Sequence, residues 1–302
     1  NLYEKRKKVN TEFTKLFLGG KEIMKKKFAL ALAAFMMMGT LAACGSTNTN
    51  DTKGSAEGNT STTSAVDAIK EKGEIVMLTN AAFPPFEYLA DDGSVQGVDA
   101  DIAQAVADKL GVKLKIVDMD FDSIVNSLKA GKGDFAAAGM TVTEERLKQV
   151  DFSDEYVTSS QMVVVREDSD LEGDKAALDA ALSGKNIAVQ AGTTGDWYAG
   201  GDETTGSTIK DANVLQYKSA TEAALHLANG KADAIIIDQK PAEAIVAANE
   251  GKLKVLDTKL TDEQYAFAVQ KNQEDLLAII NEVVAEYKGD KVDELITKHM
   301  GA

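Results

Sequence analysis

The sequence predicts an α/β protein built from two similar units, each a sheet with helices on its faces. Three observations predict this fold class. From residue 65 onward, short apolar strand patterns alternate with amphipathic helix patterns, as is typical of parallel sheets with helical crossovers. The alternation occurs twice, in stretches of about 90 to 100 residues. The roughly 240 residues after the first 64 suffice for one large or two small domains.

The first unit has the pattern of a βαβαβ arrangement. Its strands are predicted at residues 75–78, 114–117 and 135–138. Two helices join them: the first is capped by Asp99 and ended by Gly111, and the second is capped by Asp122. Their apolar residues recur at helical spacing and are expected to face the sheet: Ile102, Ala103, Val106 and Leu110 in the first helix, and Ile124, Val125 and Leu128 in the second.

The second unit repeats this arrangement. Its predicted strands are 162–165, 187–189, 235–237 and 254–256, and its predicted helices are 220–228 and 242–248. A further strand at 265–269 and two helices, at 274–287 and 292–299, complete the chain. Ligands of such sheets bind beyond the carboxyl ends of the strands, so a binding site is expected in the loops that follow the strands.

The N-terminal region has the features of an export signal. Met24 is followed by three lysines, an apolar segment extends over residues 28–38, and small residues lead to Cys44. This apolar segment is too short to span a membrane comfortably. Because it ends in Leu-Ala-Ala-Cys, the stretch 24–43 resembles a bacterial lipoprotein signal peptide, and Cys44 is predicted to be the lipidated residue. An ordinary secretory signal with an incidental cysteine is the alternative.

The segments around this signal are expected to lie outside the folded domains. Residues 1–23 precede Met24 and show no useful periodicity, and we expect them to be leader sequence that is not part of the protein. Residues 44–64 combine the lipidated cysteine with Ser, Thr, Asn and Gly, which predicts a flexible tether. The lipid is then the only expected membrane attachment, on the extracytoplasmic face of the bacterial cell membrane.

The charge balance argues against one class of partner. The chain carries 33 basic and 48 acidic residues, and removal of residues 1–44, with 9 basic and 3 acidic residues, leaves a net charge of −21. So acidic a surface repels nucleic acid and anionic lipid head groups, and it favours solubility. We therefore expect no nucleic-acid partner, and we expect a monomer.

The densest run of polar side chains follows the predicted strand 135–138. Residues 139–146 read Gly-Met-Thr-Val-Thr-Glu-Glu-Arg. An anion there would meet backbone N–H groups, the Thr141 hydroxyl and the Arg146 guanidinium. Arginine is scarce, because the exported part contains 22 lysines but only Arg146 and Arg166, which indicates a need for the planar guanidinium fork. An exposed Arg146, paired with one of the two glutamates before it, is the alternative.

Six motifs occur in the order and at the spacing of a known family. They are residues 80–87 (NAAFPPFE), 97–101 (GVDAD), 121–122 (FD), 141–146 with 150–154 (VDFSD), 192–195 (GTTG) and 237–238 (ID). From about residue 72 to its end, the chain resembles the bacterial family 3 solute-binding proteins, which serve polar amino acid ABC transporters. The resemblance implies a two-lobed periplasmic-binding-protein fold of type II, in which the chain crosses between the lobes twice.

The resemblance also implies how the lobes divide and move. Lobe 1 is expected to comprise residues 65–158 and 262–302, and lobe 2 residues 159–261. The crossings are expected near residues 157–161 and 258–262, where the protein would open and close around its ligand. Binding energy shifts the population between open and closed forms, so no covalent chemistry is required.

The resemblance assigns the ends of a free amino acid to particular residues. The Gly139 backbone, Thr141 and Arg146 would hold the α-carboxylate, with help from the N–H of Thr194, and Asp238 would take the α-ammonium. A fixed guanidinium fork suits the carboxylate, and a buried carboxylate suits the ammonium. Asp238 could instead cap the helix that follows it.

The ligand side chain would lie between Phe83 and Phe121, which would form a flat apolar slot. Phe121 could instead simply pack against a helix, and Phe86 is expected in the core. Asn80 and Gln190 stand where relatives that bind basic amino acids or glutamine carry an acidic and a basic residue, respectively. Because both are neutral here, glutamine or cystine is slightly preferred, and a basic amino acid (arginine, lysine or ornithine) is the alternative.

Other functions find less support in the residues. The two histidines, His226 and His299, have no neighbouring metal-ligand pattern, and Cys44 is the only thiol. We therefore expect no metal, no cofactor and no enzyme, and a dehydratase on the same fold is the weaker alternative. The sequence predicts a lipid-anchored protein that captures an amino acid for the permease subunits of an ABC importer.

Overall fold

The computed structural model describes residues 64–201 and 208–300. Over these residues the chain forms two five-stranded sheets with associated helices, and two smaller sheets. The predictions for residues 1–23, for the signal peptide 24–43, and for Cys44 with most of its tether lie outside the described residues. Within the described ranges, no helix combines the length and the apolar character needed to cross a bilayer.

The first part of the chain builds the first sheet. Its elements are α1 (Ala65–Lys72), β1 (Glu74–Thr79), β2 (Ala82–Phe83), β3 (Glu87–Leu89), β4 (Val95–Gln96), α2 (Val98–Leu110), β5 (Lys113–Asp118), α3 (Ile124–Lys129), β6 (Phe135–Ala136), α4 (Glu144–Leu147) and β7 (Asp151–Phe152). Strand β1 pairs in parallel with β5 and β6, so the predicted βαβαβ unit is confirmed. Strands β2 to β4 form a small antiparallel sheet that the sequence pattern did not predict.

The middle of the chain builds the second sheet. Its elements are β8 (Val157–Ser159), β9 (Gln161–Arg166), α5 (Lys175–Ala181), β10 (Asn186–Gln190), α6 (Thr194–Gly200), β11 (Asn213–Tyr217), α7 (Ala220–Ala228), β12 (Ala234–Asp238), α8 (Gln239–Ala248) and β13 (Leu253–Val255). The strand order in this sheet is β11-β10-β12-β9-β13. Strands β10 to β12 are parallel, whereas β9 and β13 run antiparallel to their neighbours, so the sheet is mixed.

The chain then returns to the first sheet. Its last elements are β14 (Glu263–Tyr265), β15 (Ala268–Val269), α9 (Glu274–Tyr287) and α10 (Asp290–His299). Strand β15 lies between β6 and β7 in the first sheet, and α9 packs against α2. The single strand predicted at 265–269 is wrong. Two strands occupy this region, because residues 263–265 pair with β8 whereas residues 268–269 pair with β6 and β7.

Two crossings connect the sheets. The chain leaves the first sheet after β7 and passes through β8 into the second sheet, and it returns from β13 through β14 to β15. Strands β8 and β14 pair antiparallel, with Glu263 opposite Ser159 and Tyr265 opposite Val157. The two-lobed, twice-crossed fold is thus confirmed, with the first sheet in lobe 1 and the second in lobe 2. The boundaries predicted at 158/159 and 261/262 stay a prediction.

Two helix caps differ from the prediction. Helix α2 begins after Gly97, and Asp99 lies in its first turn, where its buried carboxylate accepts hydrogen bonds from other segments instead of capping the helix. Asp122 lies in a 3₁₀ turn before α3, and its Oδ1 accepts from the neighbouring Ser123 hydroxyl (3.1 Å). Both carboxylates therefore accept hydrogen bonds from groups other than the N–H groups of the helix that each was predicted to cap. The predicted stop at Gly111 is confirmed, since its φ of 72° is the left-handed conformation that glycine adopts easily.

Candidate functional site

A cavity between the lobes brings together the residues singled out in the sequence. All nine line it, together with Ala138 and Thr193: Asn80, Phe83, Phe121, Gly139, Thr141, Arg146, Gln190, Thr194 and Asp238. The free space between these side chains is about 10 Å³, roughly what one water molecule needs. The residues follow strands of both sheets, which is where the sequence predicted a site. Their role in binding stays a prediction.

Arg146 is the buried cation of this cavity. Thr143 begins its helix by accepting a hydrogen bond from the Arg146 N–H. The guanidinium donates from Nη1 to the carbonyl of Thr141 (2.7 Å) and from Nη2 to that of Gly192 in lobe 2 (3.2 Å). Its other three N–H groups have no hydrogen-bond partner in the described part of the chain and can serve an anion. The alternative of an exposed arginine is wrong, because the residue is only 4% exposed.

Two aromatic rings, one from each lobe, pack against this guanidinium. Its central carbon lies 5.3 Å from the ring centre of Phe121 and 5.0 Å from that of Trp197. Such cation–π contacts contribute about 0.5–2 kcal/mol, depending on how far they are desolvated. Burial lowers the pKa of Arg146 to about 10, so it stays charged at neutral pH. The alternative that Phe121 only packs against a helix is incomplete, because its ring also contacts the Arg146 guanidinium.

Asp238 ends β12 and is held by the crossing strands. Its Oδ1 accepts hydrogen bonds from the Tyr265 hydroxyl and from Ser159 Oγ (3.4 Å). It occupies the cap position of α8, but its carboxylate makes no cap hydrogen bond, so the helix-cap alternative is wrong. Burial raises the pKa of Asp238 to about 7, and the negative charge of Glu263 contributes to this rise. An ammonium group placed beside Asp238 would lower that pKa by compensating the charge.

The Gly139 N–H is already engaged within the protein. It donates to Asp99 Oδ2 (2.8 Å), and the other oxygen of Asp99 accepts from the Tyr156 hydroxyl (2.5 Å). Burial raises the pKa of the neighbouring Glu87 well above its usual range and that of Asp99 to about 6. The Gly139 backbone was predicted to hold the α-carboxylate, but its N–H is already used and its carbonyl can only accept hydrogen bonds, so it can serve only a donor such as an ammonium.

Two neutral amides meet across the lobes at another part of the cavity. Gln190 Nε2 donates to Asn80 Oδ1 (2.8 Å) and to the carbonyl of Lys218 (3.1 Å). Asn80 Nδ2 donates to the carbonyl of Met119 (2.7 Å). The side-chain ammonium of the same lysine, Lys218, is exposed and forms an ion pair with Asp120 of lobe 1 (2.7 Å). Because three of the four amide N–H groups are already used, this end of the cavity offers mainly oxygen acceptors to a ligand.

Glu263 is a buried residue of this region that the sequence motifs did not identify. Its Oε2 accepts hydrogen bonds from the hydroxyls of Thr141 (2.8 Å) and Thr194 (2.9 Å). The only sequence signal was that an acidic residue lies two positions before Tyr265, where a strand was predicted to begin. Such a signal does not show which distant groups the side chain will meet. The expectation that Phe86 lies in the core is confirmed, since it is fully buried.

Comparisons with known proteins agree with this geometry. The family model of the bacterial extracellular solute-binding proteins, family 3, matches residues 75–302. The chain is 33% identical over 278 residues to the probable histidine-binding protein of Campylobacter jejuni, covering 91% of this chain and 99% of the relative. It is 32% identical over 281 residues to the ABC transporter glutamine-binding protein GlnH of Bacillus subtilis, covering 91% and 97%.

Solved structures give the same result. An amino acid ABC transporter substrate-binding protein from Streptococcus pneumoniae, bound to L-arginine, superposes with a TM-score of 0.70. The two chains are 34% identical, and the match covers 79% of this chain and 98% of that one.

Proposed function

The chain belongs to the bacterial extracellular solute-binding proteins of family 3, and from that premise we propose that it captures a free L-amino acid between its lobes and delivers it to the permease subunits of an ABC importer. The observation that carries the proposal is the pair of buried opposite charges, Arg146 and Asp238, in one small interlobe cavity. These charges complement the α-carboxylate and α-ammonium that free amino acids share. The names of the relatives, which specify histidine, glutamine and arginine, support this ligand class.

Each charged end of the ligand would be held by residues of both lobes. The α-carboxylate would accept hydrogen bonds from the three free N–H groups of Arg146 and from the backbone N–H groups of Thr141 and Thr194. The α-ammonium would donate to Asp238 and to the Gly139 carbonyl. Hydrogen bonds in which both partners are charged are roughly twice as strong as neutral ones, so Arg146 and Asp238 would supply most of the binding energy.

The ligand side chain would extend between Phe83 and Phe121 toward the amides Asn80 and Gln190. Because this end offers mainly oxygen acceptors, it suits a side chain that donates hydrogen bonds. Glutamine does so through its amide and cystine through its second ammonium, and the neutral amides favour these two. Arginine, lysine or ornithine is the second candidate class, because Arg146, Asp238 and Glu263 together carry a net negative charge when ionised.

The place of action follows from the family and from the N-terminal sequence. We propose that Cys44 carries a lipid that anchors the protein to the extracytoplasmic face of the cell membrane, and that residues 45–64 tether the binding domain to it. The protein would act there as a monomer. Capture and release require only opening and closing of the lobes, so the proposal includes no enzymatic step.

A thermal-shift screen tests the proposed function. The protein from residue 45 onward would be heated with each of the twenty amino acids, with cystine and with ornithine. A ligand at a hundred times its Kd stabilises the folded state by about 2.7 kcal/mol, which raises the melting temperature measurably. The matched control is the same ligand with its α-carboxylate amidated, which should not stabilise. If no amino acid stabilises a folded protein, the proposal is wrong.

A further inference from the structure

Glu263 joins both lobes through a single carboxylate oxygen. Its Oε2 accepts a hydrogen bond from Thr141 Oγ1 of lobe 1 (2.8 Å) and another from Thr194 Oγ1 of lobe 2 (2.9 Å). Its Oε1 accepts from Thr261 Oγ1 (2.9 Å). The residue is 6% exposed, so these contacts lie away from water. One buried carboxylate therefore contacts both threonines that are proposed to face the ligand carboxylate.

The hydroxyl groups of these threonines are committed to that contact. A hydroxyl has one proton to donate, and in both threonines it is donated to Glu263. Thr194 Oγ1 also accepts from Gln161 Nε2 (3.0 Å). The hydroxyl protons are thus not free for a ligand carboxylate. The threonines would serve such a ligand through their backbone N–H groups, whose positions the hydroxyl bonds to Glu263 help to fix.

The strand that carries Glu263 also supports the residue proposed to bind the α-ammonium. Side chains two residues apart in a strand point to the same face, so Glu263 and Tyr265 project from the same face of β14. Tyr265 donates its hydroxyl proton to Asp238, the residue proposed to bind the α-ammonium. Strand β14 lies in one crossing between the lobes and pairs with β8 in the other. A three-residue strand at the crossings thus contacts residues proposed to bind the α-carboxylate and the residue proposed to bind the α-ammonium.

We infer that Glu263 is a positioning residue that couples closure of the lobes to assembly of the carboxylate-binding half of the site. It holds Thr141 within lobe 1, and Thr194 of lobe 2 reaches it only when the lobes are closed. A charged acceptor makes these hydrogen bonds stronger than a neutral one would. The inference deepens the proposed function and rests on it for the identity of the ligand.

Two substitutions of Glu263 test the inference. Glu263→Leu removes both acceptor oxygens at similar size, and Glu263→Gln keeps one of them without the charge. Hydrogen bonds to charged groups contribute enough that we expect Glu263→Leu to raise the Kd of the amino acid by about 10- to 100-fold. We expect Glu263→Gln to raise it by only about fivefold, because one acceptor remains. This partial rescue would not follow from a loss of packing alone.

A double-mutant cycle asks whether the Thr194 hydroxyl acts through Glu263. Thr194→Val should weaken binding in the wild-type background. It should add little in the Glu263→Leu background, because the partner of the hydroxyl is already gone. Equal losses in both backgrounds would overturn the inference, since the hydroxyl would then act on the ligand directly.

Closure of the lobes can be monitored by a signal other than ligand affinity. Trp197 of lobe 2 lies 5.0 Å from the guanidinium of Arg146 in lobe 1, so its fluorescence reports the closed interface. The reference for the open form is Gly192→Ala, because an added Cβ would lie 2.9 Å from the Cβ of Asp122 in lobe 1. Its control is Gly184→Ala, which shares the positive φ but meets no atom within 4 Å.

A control for interlobe contacts in general is Asp120→Asn. It breaks the exposed ion pair between Lys218 and Asp120 without touching Glu263 or the cavity. Exposed pairs contribute little, so we expect the Kd to stay within about fivefold of the wild-type value. A loss as large as that of Glu263→Leu would show that any interlobe contact has this effect, and the specific role of Glu263 would be refuted.

Small-angle X-ray scattering of the ligand-free protein separates the inference from the proposed function. We expect Glu263→Leu to have a larger radius of gyration than the wild type, whatever the ligand proves to be. A wild type that binds no amino acid would refute the proposed function alone. Unchanged closure and unchanged affinity in Glu263→Leu would refute the inference alone. If that variant does not fold, unchanged closure and affinity in Glu263→Gln would refute the inference instead.

Discussion

The two ends of the cavity differ in charge and in how they are held. At one end, Arg146 and Asp238 are buried charges whose neighbours include side chains of the crossing strand β14. At the other end, Asn80 and Gln190 are neutral amides that bond to each other and to backbone carbonyls. The α-carboxylate and α-ammonium, which all free amino acids share, would meet the charges of Arg146 and Asp238. The ligand side chain, which varies, would meet the amides, whose hydrogen bonding or charge a single substitution can change.

This difference has an energetic reason. A buried charge is costly unless it is paired, so a ligand that supplies both opposite charges gains much from the charged end. Neutral amides that already satisfy each other lose and gain similar hydrogen bonds when a ligand arrives, so their net contribution is small. The charged end should therefore decide whether an amino acid binds, and the amide end which one.

The largest expected effect comes from Arg146→Ala. Removing one partner of a buried charge pair costs about 2–5 kcal/mol, which corresponds to a rise in Kd of roughly 30-fold to several thousandfold. Isothermal titration calorimetry should show binding abolished or nearly so, while circular dichroism shows the fold retained. The control is Arg166→Ala, because Arg166 bonds to the Ala232 carbonyl and does not line the cavity. An affinity like that of the wild type in Arg146→Ala would refute the carboxylate assignment.

A smaller effect is expected from pH. Burial raises the pKa of Asp238 to about 7, and binding of an ammonium favours its ionised form. A proton must therefore leave Asp238 on binding below that pH, and affinity falls as pH is lowered through 7. For a single site, the Kd should rise about fourfold from pH 8 to pH 6.5. Asp99, whose pKa is about 6, titrates mostly below this window.

The pH effect has a direct check. Titration calorimetry at pH 6.5 in buffers with different ionisation enthalpies should detect the proton that is released on binding. In Asp238→Asn, whatever affinity remains should not vary over this pH range, because the titrating group is gone. A Kd that is flat from pH 8 to pH 6.5 in the wild type would place the ammonium elsewhere.

The smallest effect is expected at the amide end. Asn80→Asp should shift preference rather than abolish binding, because it adds a negative charge where the ligand side chain would end. We expect the ratio of Kd values for glutamine and arginine to move toward arginine by about tenfold, the effect of roughly one favourable charge pair. Gln96→Glu, which adds the same charge on an exposed strand, should leave the ratio unchanged. If Asn80→Asp left the ratio of Kd values unchanged, residue 80 would not contact the ligand side chain.

Much of the fold could be predicted because its signal is local. The strand at 75–78, the helix at 220–228 and the helix at 274–287 are present as predicted, or within a residue at each end. Their apolar spacing reports which face is buried, and that face is a property of consecutive residues. The short strands β2 to β4 were missed, because two or three residues carry too little periodicity to be recognised.

Nine of the eleven residues that line the cavity were also identified from the sequence, through ordered motifs that each follow or begin a strand or helix. What the sequence did not indicate was their support. Glu263 meets Thr141 and Thr194 at sequence separations of 122 and 69 residues, and Asp99 meets Gly139 at a separation of 40. No local pattern encodes such partners. A residue type limits which bonds a side chain can make, and only the packed lobes and crossing strands decide which groups come within reach.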